Sequence, residues 1–241
     1  MPRSSELNRY LRVSRTATYG YLSALPLIIL YEVMIRIANL GSVAQVRVGA
    51  EVWLKQLLAF VGGANLIVLL VLVAGVGIAI FYAERHRSIP IRPRYFLWLI
   101  GESALYGFVV ALVVSFAVGM IFAMVPLPPD GLWMMLALSI GAGIYEELLF
   151  RVILVGGLAL LLDKLLAKRQ HAYPIAAVVG ALIFSAVHYM GPLGDVFTLP
   201  SFTFRFLFGL ALNGIFLVRG FGVAAWTHAL YDVMVVTGLF G

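Results

Sequence analysis

The stretch LWMMLALSIGAGIYEELLFRVILVGGLALLLDKLL, residues 132–166, is apolar over most of its length but carries Glu146, Glu147 and Arg151 near its middle. As one α-helix it would be about 52 Å long, whereas the hydrocarbon core of a bilayer is about 30 Å thick. We therefore expect this stretch either to extend beyond a bilayer or to break. The expected point of a break is the glycine pair at 156–157.

The rest of the chain has the composition of a membrane protein. Of its 241 residues 63% are hydrophobic and 12% are charged, and the mean hydropathy is +1.03. Soluble domains have about 25% charged residues. The sequence predicts an all-α, polytopic transmembrane helix bundle of about seven or eight helices. Because cysteine is absent, disulfides, thiolate metal sites and a cysteine nucleophile are excluded.

Seven apolar segments are candidate membrane spans, and an amphipathic segment at 49–61 is expected to lie at the membrane interface. The proline-rich sequence PLPPDG, residues 126–131, ends the third span. The predicted spans are 19–37, 64–82, 96–125, 132–166, 174–190, 204–218 and 221–240. This divides the chain into a cytoplasmic N-terminal segment (1–18), N-terminal transmembrane helices (19–125) and a transmembrane core (132–240).

Lysine and arginine predict the orientation of these spans. Counted alternately, the N-terminal segment and the segments at 85–94, 164–169 and 219 fall on one side of the membrane, and all are basic. The loops at 126–131 and 191–203 contain no Lys or Arg. The positive-inside rule therefore predicts a cytoplasmic N-terminus. The net charge of +6 is explained by these segments and does not indicate a nucleic-acid partner. The short loops favour a prokaryotic cytoplasmic (inner) membrane.

Ionisable residues within the spans need a specific reason, because each costs about 2.5–3.5 kcal/mol at the bilayer centre. Glu32 and Arg36, four residues apart, are expected to form an internal ion pair, and the alternative for Glu32, as for Glu102 and Arg205, is that it belongs to the functional site. Glu102 is expected to be a buried hydrogen-bonding group. Arg205 begins a span, so its side chain can reach the interface.

The two adjacent glutamates of the long stretch are expected to differ in their surroundings. Glu147 and Arg151 have i, i+4 spacing and can pair on one helix face. Glu146 is rotated about 100° from Glu147, so it can face a different cavity.

Two later spans present further ionisable groups at helical spacing. Phe184 and His188 share one helix face, and His228 and Asp232 share another. Because buried charges point inward toward one another, a shared cavity with Glu146 is expected. These groups suit either general acid–base chemistry or a metal site. Ser185 is on a different face from His188, which argues against a serine nucleophile.

Three motifs in chain order resemble those of a known family. EELLFR (146–151) matches EExxxR, FSAVH (184–188) matches FxxxH, and HALYD (228–232) matches HxxxN/D. Each lies in its own apolar segment. The set resembles the CPBP family, the CAAX proteases and bacteriocin-processing enzymes also called Abi. The resemblance covers about residues 132–240.

This resemblance implies an intramembrane endopeptidase of the glutamic type without a cofactor or metal. It implies that Glu146 is the general base that activates water and that His188 helps to hold this water. His228 and the residue at 232 would stabilise the oxyanion. The supporting residues are Glu147, Arg151 and Phe184. The implied partners are membrane lipid and a peptide or protein substrate, with or without a lipid attachment.

Position 232 departs from the family pattern, which often has Asn there. An ionised Asp232 cannot donate a hydrogen bond to an oxyanion. It is either protonated or it orients His228 as the carboxylate of a catalytic triad does, and we favour the second. A metal shell of Glu146, His188, His228 and Asp232 is an alternative, although the zinc signature HExxH is missing.

Two other classes of function fit the same residues. A non-catalytic scaffold or immunity protein would keep its biological function when the motif residues are mutated. A transporter would use the buried carboxylates and histidines to relay protons. The sequence shows no internal repeat of the kind common in transporters.

Overall fold

The computed structural model describes residues 5–40, 46–59, 66–119, 131–191 and 194–239. Within these ranges the protein is helical and contains no strand. A π-helical segment, Ala142–Gly156, joins α6 to α7, and a 3₁₀ turn, Arg169–His171, precedes α8. The α-helices are α1 (Glu6–Val13), α2 (Ala17–Ala38), α3 (Gly49–Ala59), α4 (Leu66–Glu84), α5 (Pro93–Val118), α6 (Leu132–Gly141), α7 (Gly157–Leu165), α8 (Ala172–Val187), α9 (Leu199–Arg219) and α10 (Phe221–Val236).

The helices are those of an integral membrane protein. Five are long and apolar enough to cross a bilayer: Ala17–Ala38, Ile67–Glu84, Pro93–Val118, Arg169–Val187 and Leu199–Arg219. α10 is apolar but shorter, and the run from α6 through the π segment to α7 is continuous. The predicted helical membrane bundle is thus confirmed.

Of the two alternatives expected for the long stretch, the structure has the continuous helix and not the break at the glycine pair. Gly156 has φ −62° and ψ −48°, and Gly157 has φ −62° and ψ −45°, so both are helical. The winding changes there from π to α, and the chain stays helical. A physical reason is that a broken helix in lipid would leave backbone groups without hydrogen-bond partners, whereas glycine permits a break without requiring one.

Several predicted boundaries shift. α5 ends at Val118 because Gly119 takes a left-handed conformation with φ 67°, which is a common helix C-terminus. Residues 120–125 of the predicted third span lie outside the described residues, as do residues 64–65, 60–61 and 240 of other predicted segments. The N-terminal segment contains α1, a helix that the sequence analysis did not predict.

The packing that positions the site centres on α10, which contacts α2, α5, α6, α9 and the π segment. The π segment approaches α10 closely at Gly143. A Cβ atom at Gly143 would lie 2.5 Å from the Ala229 Cβ and 2.7 Å from the Ala225 carbonyl oxygen. Small residues allow this approach between membrane helices, and it brings the glutamates of the π segment beside His228.

Candidate active site

Glu147 lies at the centre of a buried charge network. One of its oxygens, Oε1, is 2.7 Å from His228 Nδ1 and 3.0 Å from Arg151 Nη1. The side chains of Glu147 and Arg151 are 0% and 1% exposed. The predicted Glu147–Arg151 pair is therefore present. The hydrogen bond to His228, 81 positions away, links the π segment to α10.

Phe184 supports this network from α8. The Arg151 guanidinium lies over the Phe184 ring, 4.5 Å from its centroid, in a cation–π arrangement. The same ring contacts the imidazoles of His188 and His228 edge-on, at centroid distances of 4.9 and 6.2 Å. One aromatic side chain thus contacts the arginine and both histidines.

Glu146 faces both histidines and is partly accessible. Its Oε2 lies 4.0 Å from His188 Nε2 and 4.0 Å from His228 Nε2, and its side chain is 16% exposed. His188 Nδ1 is 2.7 Å from the Phe184 carbonyl oxygen. Because a carbonyl only accepts, Nδ1 carries the hydrogen and a neutral His188 has its lone pair on Nε2, facing Glu146.

Asp232 differs from its expected role as the residue that orients His228. Its Oδ2 is 3.6 Å from His228 Nε2, which is beyond hydrogen-bond length. The ring is held instead through Nδ1 by Glu147. The i, i+4 spacing brings Asp232 near the ring, but the π segment packed on α10 supplies the closer carboxylate.

Two other carboxylates of the spans, Glu32 and Glu102, pair with groups outside this network. Glu32 pairs with Arg36 at 3.5 Å and with Arg47 at 3.6 Å. Glu102 accepts hydrogen bonds from Arg219 and from the Tyr10 hydroxyl. These contacts agree with the structural roles expected from the sequence.

Arg205 and Phe208 lie on α9 near the site. Arg205 forms an ion pair with Asp195 and donates to the Tyr189 hydroxyl and the Ser201 Oγ, each at 2.7 Å. The Phe208 ring is 5.4 Å from the His228 ring. Sequence reasoning missed Phe208, because an aromatic residue in an apolar span gives no signal that distinguishes it from its neighbours.

The donor set was also tested as a metal site. The described residues contain no group of three or more His, Cys, Asp or Glu side chains placed to hold a metal ion. Ligand atoms of a tetrahedral zinc lie about 3.4 Å apart when each is about 2.1 Å from the ion. The two 4.0 Å separations at Glu146 are wider than this.

Of three comparisons with known proteins, one finds a match. No curated protein and no solved structure matches the chain. Residues 128–234 match the family model described as type II CAAX prenyl endopeptidase Rce1-like. This range includes all three motifs, and the match supports a hydrolase of the CAAX-type intramembrane protease class. Over residues 128–234 this integral membrane protein is therefore similar to the CPBP/CAAX protease family.

Proposed function

We propose that the protein is a glutamic intramembrane endopeptidase that cleaves a peptide bond of a membrane-associated peptide or protein. The placement of Glu146 Oε2 4.0 Å from two imidazole nitrogens supports this proposal. The separation is too long for a direct hydrogen bond. It suits one bridging water molecule whose hydrogen bonds are each about 2.8 Å long.

In the first step Glu146 acts as the general base. It takes a proton from the water while the water oxygen attacks the carbonyl carbon of the scissile bond. His188 Nε2 accepts the second hydrogen of the water and so fixes its direction of attack. The new C–O bond forms as the carbonyl π electrons move onto the oxygen.

The negative charge on this oxygen needs a donor, and His228 is placed to supply it. When both ring nitrogens are protonated, Nε2–H donates to the oxyanion while Nδ1–H donates to Glu147. Glu147 then stabilises the imidazolium, as the carboxylate does in a serine protease triad. Arg151 balances the charge of Glu147.

The second step breaks the C–N bond. The oxyanion re-forms a carbonyl and the bonding electrons leave with nitrogen, which takes the proton held by Glu146. The products are an amine and a carboxylic acid, and the acid then loses its proton to solvent to become a carboxylate. Asp232 lies near His228 Nε2 but does not accept a hydrogen bond from it. The Nε2–H group can therefore donate to the carbonyl oxygen of the substrate.

We also propose which part of the chain is the catalytic core and in which membrane the protein lies. The catalytic core is residues 132–240, preceded by transmembrane helices at 19–125 and a cytoplasmic segment at 1–18. We place the protein in a prokaryotic cytoplasmic membrane with its N-terminus in the cytoplasm, because the basic loops lie on that side. The substrate has a membrane-associated segment and need not carry a lipid.

The test is cleavage of a labelled peptide library in detergent by wild type, Glu146→Gln and Glu32→Gln. Glu32 is the matched control, since it is also a glutamate of a membrane-spanning segment but lies outside the site. We expect Glu146→Gln to abolish cleavage and Glu32→Gln to keep it, with no effect of a chelator. Cleavage by Glu146→Gln at the wild-type rate would reject the proposal, and inhibition by the chelator would indicate metal chemistry.

A further inference from the structure

We propose that the active site opens on the membrane face opposite to the basic loops, so that it takes peptide segments presented at the extracytoplasmic surface. This inference rests on the proposed function. To the proposed function it adds the side of the membrane from which the substrate segment with the scissile bond enters the site.

The basic segments gather at one end of the bundle, here called the basic end. α1 is joined there to α5 by Glu6, which pairs with Arg92 and Arg94. Arg219, at the end of α9, donates to the Leu11 carbonyl oxygen. The ends of α4 and α7, and the starts of α8 and α10, lie at the same end because the connecting segments 85–92, 166–171 and 220 are short.

The opposite end has fewer basic residues, and each of those described below contacts a carboxylate. Arg36 pairs with Glu32, Arg47 and Lys55 both pair with Glu51, and Arg205 pairs with Asp195. The imbalance between the two ends is what the positive-inside rule uses, so the basic end faces the cytoplasm.

The catalytic groups lie far from the basic end. His188 follows α8, which begins at that end, and 16 residues of helix at about 1.5 Å each place it about 24 Å away. Arg205 precedes Arg219 by about 21 Å of helix. His228 lies about 10 Å beyond the start of α10, and its neighbour Thr227 packs against Gly107, which is about 21 Å beyond the start of α5 at the basic end. The site therefore runs from the bilayer centre into its far half.

The exposed fraction of the side chains in the site also increases with distance from the basic end. The deep groups Glu147, Arg151 and His228 are 0%, 1% and 5% exposed, whereas His188 and Asp232 are 26% and 25% exposed. Four side chains between the deep groups and the basic end are fully buried. Val155, Ala181, Leu212 and Val223 all have no exposed surface. Among the described residues, the accessible side of the site is the one away from the basic end.

Charged residues at this side indicate an aqueous opening. Asp195 is 57% exposed, and it pairs with Arg205 just beyond His188. A charged side chain exposed to lipid would be costly, so this pair is expected to face water. A peptide segment at the extracytoplasmic surface reaches Glu146 by this route. A peptide confined to the cytoplasm does not.

The natural absence of cysteine makes the opening testable with single-cysteine variants. Val196→Cys reports the proposed mouth, since Val196 is 87% exposed beside Asp195. Ala167→Cys is the matched control, at an exposed position of the basic end. A membrane-impermeant maleimide should label Val196→Cys in right-side-out membrane vesicles and Ala167→Cys in inverted ones. The reverse pattern would overturn the inference.

Cleavage is then measured in the same vesicles with an impermeant charged peptide selected from the detergent screen. We expect cleavage in right-side-out vesicles, none in inverted vesicles, and none by Glu146→Gln. Cleavage only in inverted vesicles would reject the orientation while leaving the peptidase intact. If detergent-solubilised wild type and Glu146→Gln gave equal cleavage, the proposed function itself would fail.

Discussion

The two adjacent glutamates differ in burial and in the contacts that they make. Glu147 has no exposed surface and contacts both Arg151 and His228. Glu146 is partly exposed and has no direct hydrogen bond to either histidine. Removing one member of a buried ion pair leaves the other as an uncompensated charge. Removing a partly accessible carboxylate has no such effect.

We therefore predict that Glu147→Gln lowers the free energy of unfolding by about 3–5 kcal/mol, whereas Glu146→Gln leaves it nearly unchanged. Thermal melting in detergent, followed by circular dichroism, measures both. The double variant Glu147→Gln/Arg151→Met is the control. It removes both charges, so it should recover much of the stability while cleavage stays low. Equal melting temperatures for the two single variants would contradict this account.

Asp232 is predicted to tolerate loss of its charge. Because Glu147 already holds His228 Nδ1, Asp232→Asn should keep the rate of peptide cleavage within about tenfold of wild type, whereas His228→Ala should lose about 10²–10³-fold. The rate constants are compared at saturating peptide. A loss as large for Asp232→Asn as for His228→Ala would show that the charge at 232 is required.

At the scale of elements, the site depends on how closely the π segment approaches α10. The contact at Gly143 fixes the distance between Glu147 and His228, since both lie about one turn from it. π-helical winding is uncommon and occurs mostly as short bulges at functional sites. Here it extends through both glutamates and Arg151.

Gly143→Ala is predicted to separate these two elements. Its Cβ would lie 2.5 Å from Ala229 Cβ, so the backbone must move, and a displacement of about 1 Å can lower a catalytic rate about 10²-fold. Gly157→Ala is the control, because nothing lies within 4 Å of its Cβ and its backbone is helical. Cleavage and melting are measured for both. Unimpaired cleavage by Gly143→Ala would show that the close approach is not needed.

The sequence predicted the positions of the helical segments better than it predicted whether a helix is of the α or the π type. Apolar runs report burial in lipid directly, so the spans and the EExxxR, FxxxH and HxxxD motifs were found from local pattern alone. The π winding of 142–156 was not, because this stretch has no local sequence pattern that distinguishes it from an ordinary apolar α-helix. The Glu147–His228 bond joins residues far apart in the chain, and no spacing rule indicates such a pair.

At the scale of the whole molecule, α1 is fixed to the bundle by polar contacts. Tyr10 contacts Glu102 of α5, and Glu6 accepts a hydrogen bond of 2.6 Å from the Tyr95 hydroxyl. The Tyr95 hydrogen bond, followed by the charges of Arg94 and Arg92, holds the pKa of Glu6 below its ordinary value of 4.5. The sequence analysis had assigned this segment only a location, since its contacts come from α5 and α9.

This lowered pKa predicts a pH-dependent contribution of Glu6 to stability. The contribution is fully present above the ordinary value of 4.5 and is lost as the pH falls through the lowered pKa. The wild-type melting temperature should therefore exceed that of Glu6→Gln at neutral pH, and the difference should shrink in acid. The difference between the two proteins is measured across a pH series in detergent. A difference that is constant with pH would show that the Glu6 carboxylate is not responsible.

The proposed catalytic groups reside on three elements that leave the ribosome at different times. The π segment emerges first with Glu146 and Glu147, α8 follows with His188, and α10 comes last with His228. Before α10 inserts, Glu147 lacks its imidazole partner and the oxyanion has no donor. Under the proposed mechanism the nascent chain is inactive as a peptidase, and we expect hydrolysis to begin only when the last of these helices inserts beside the π segment.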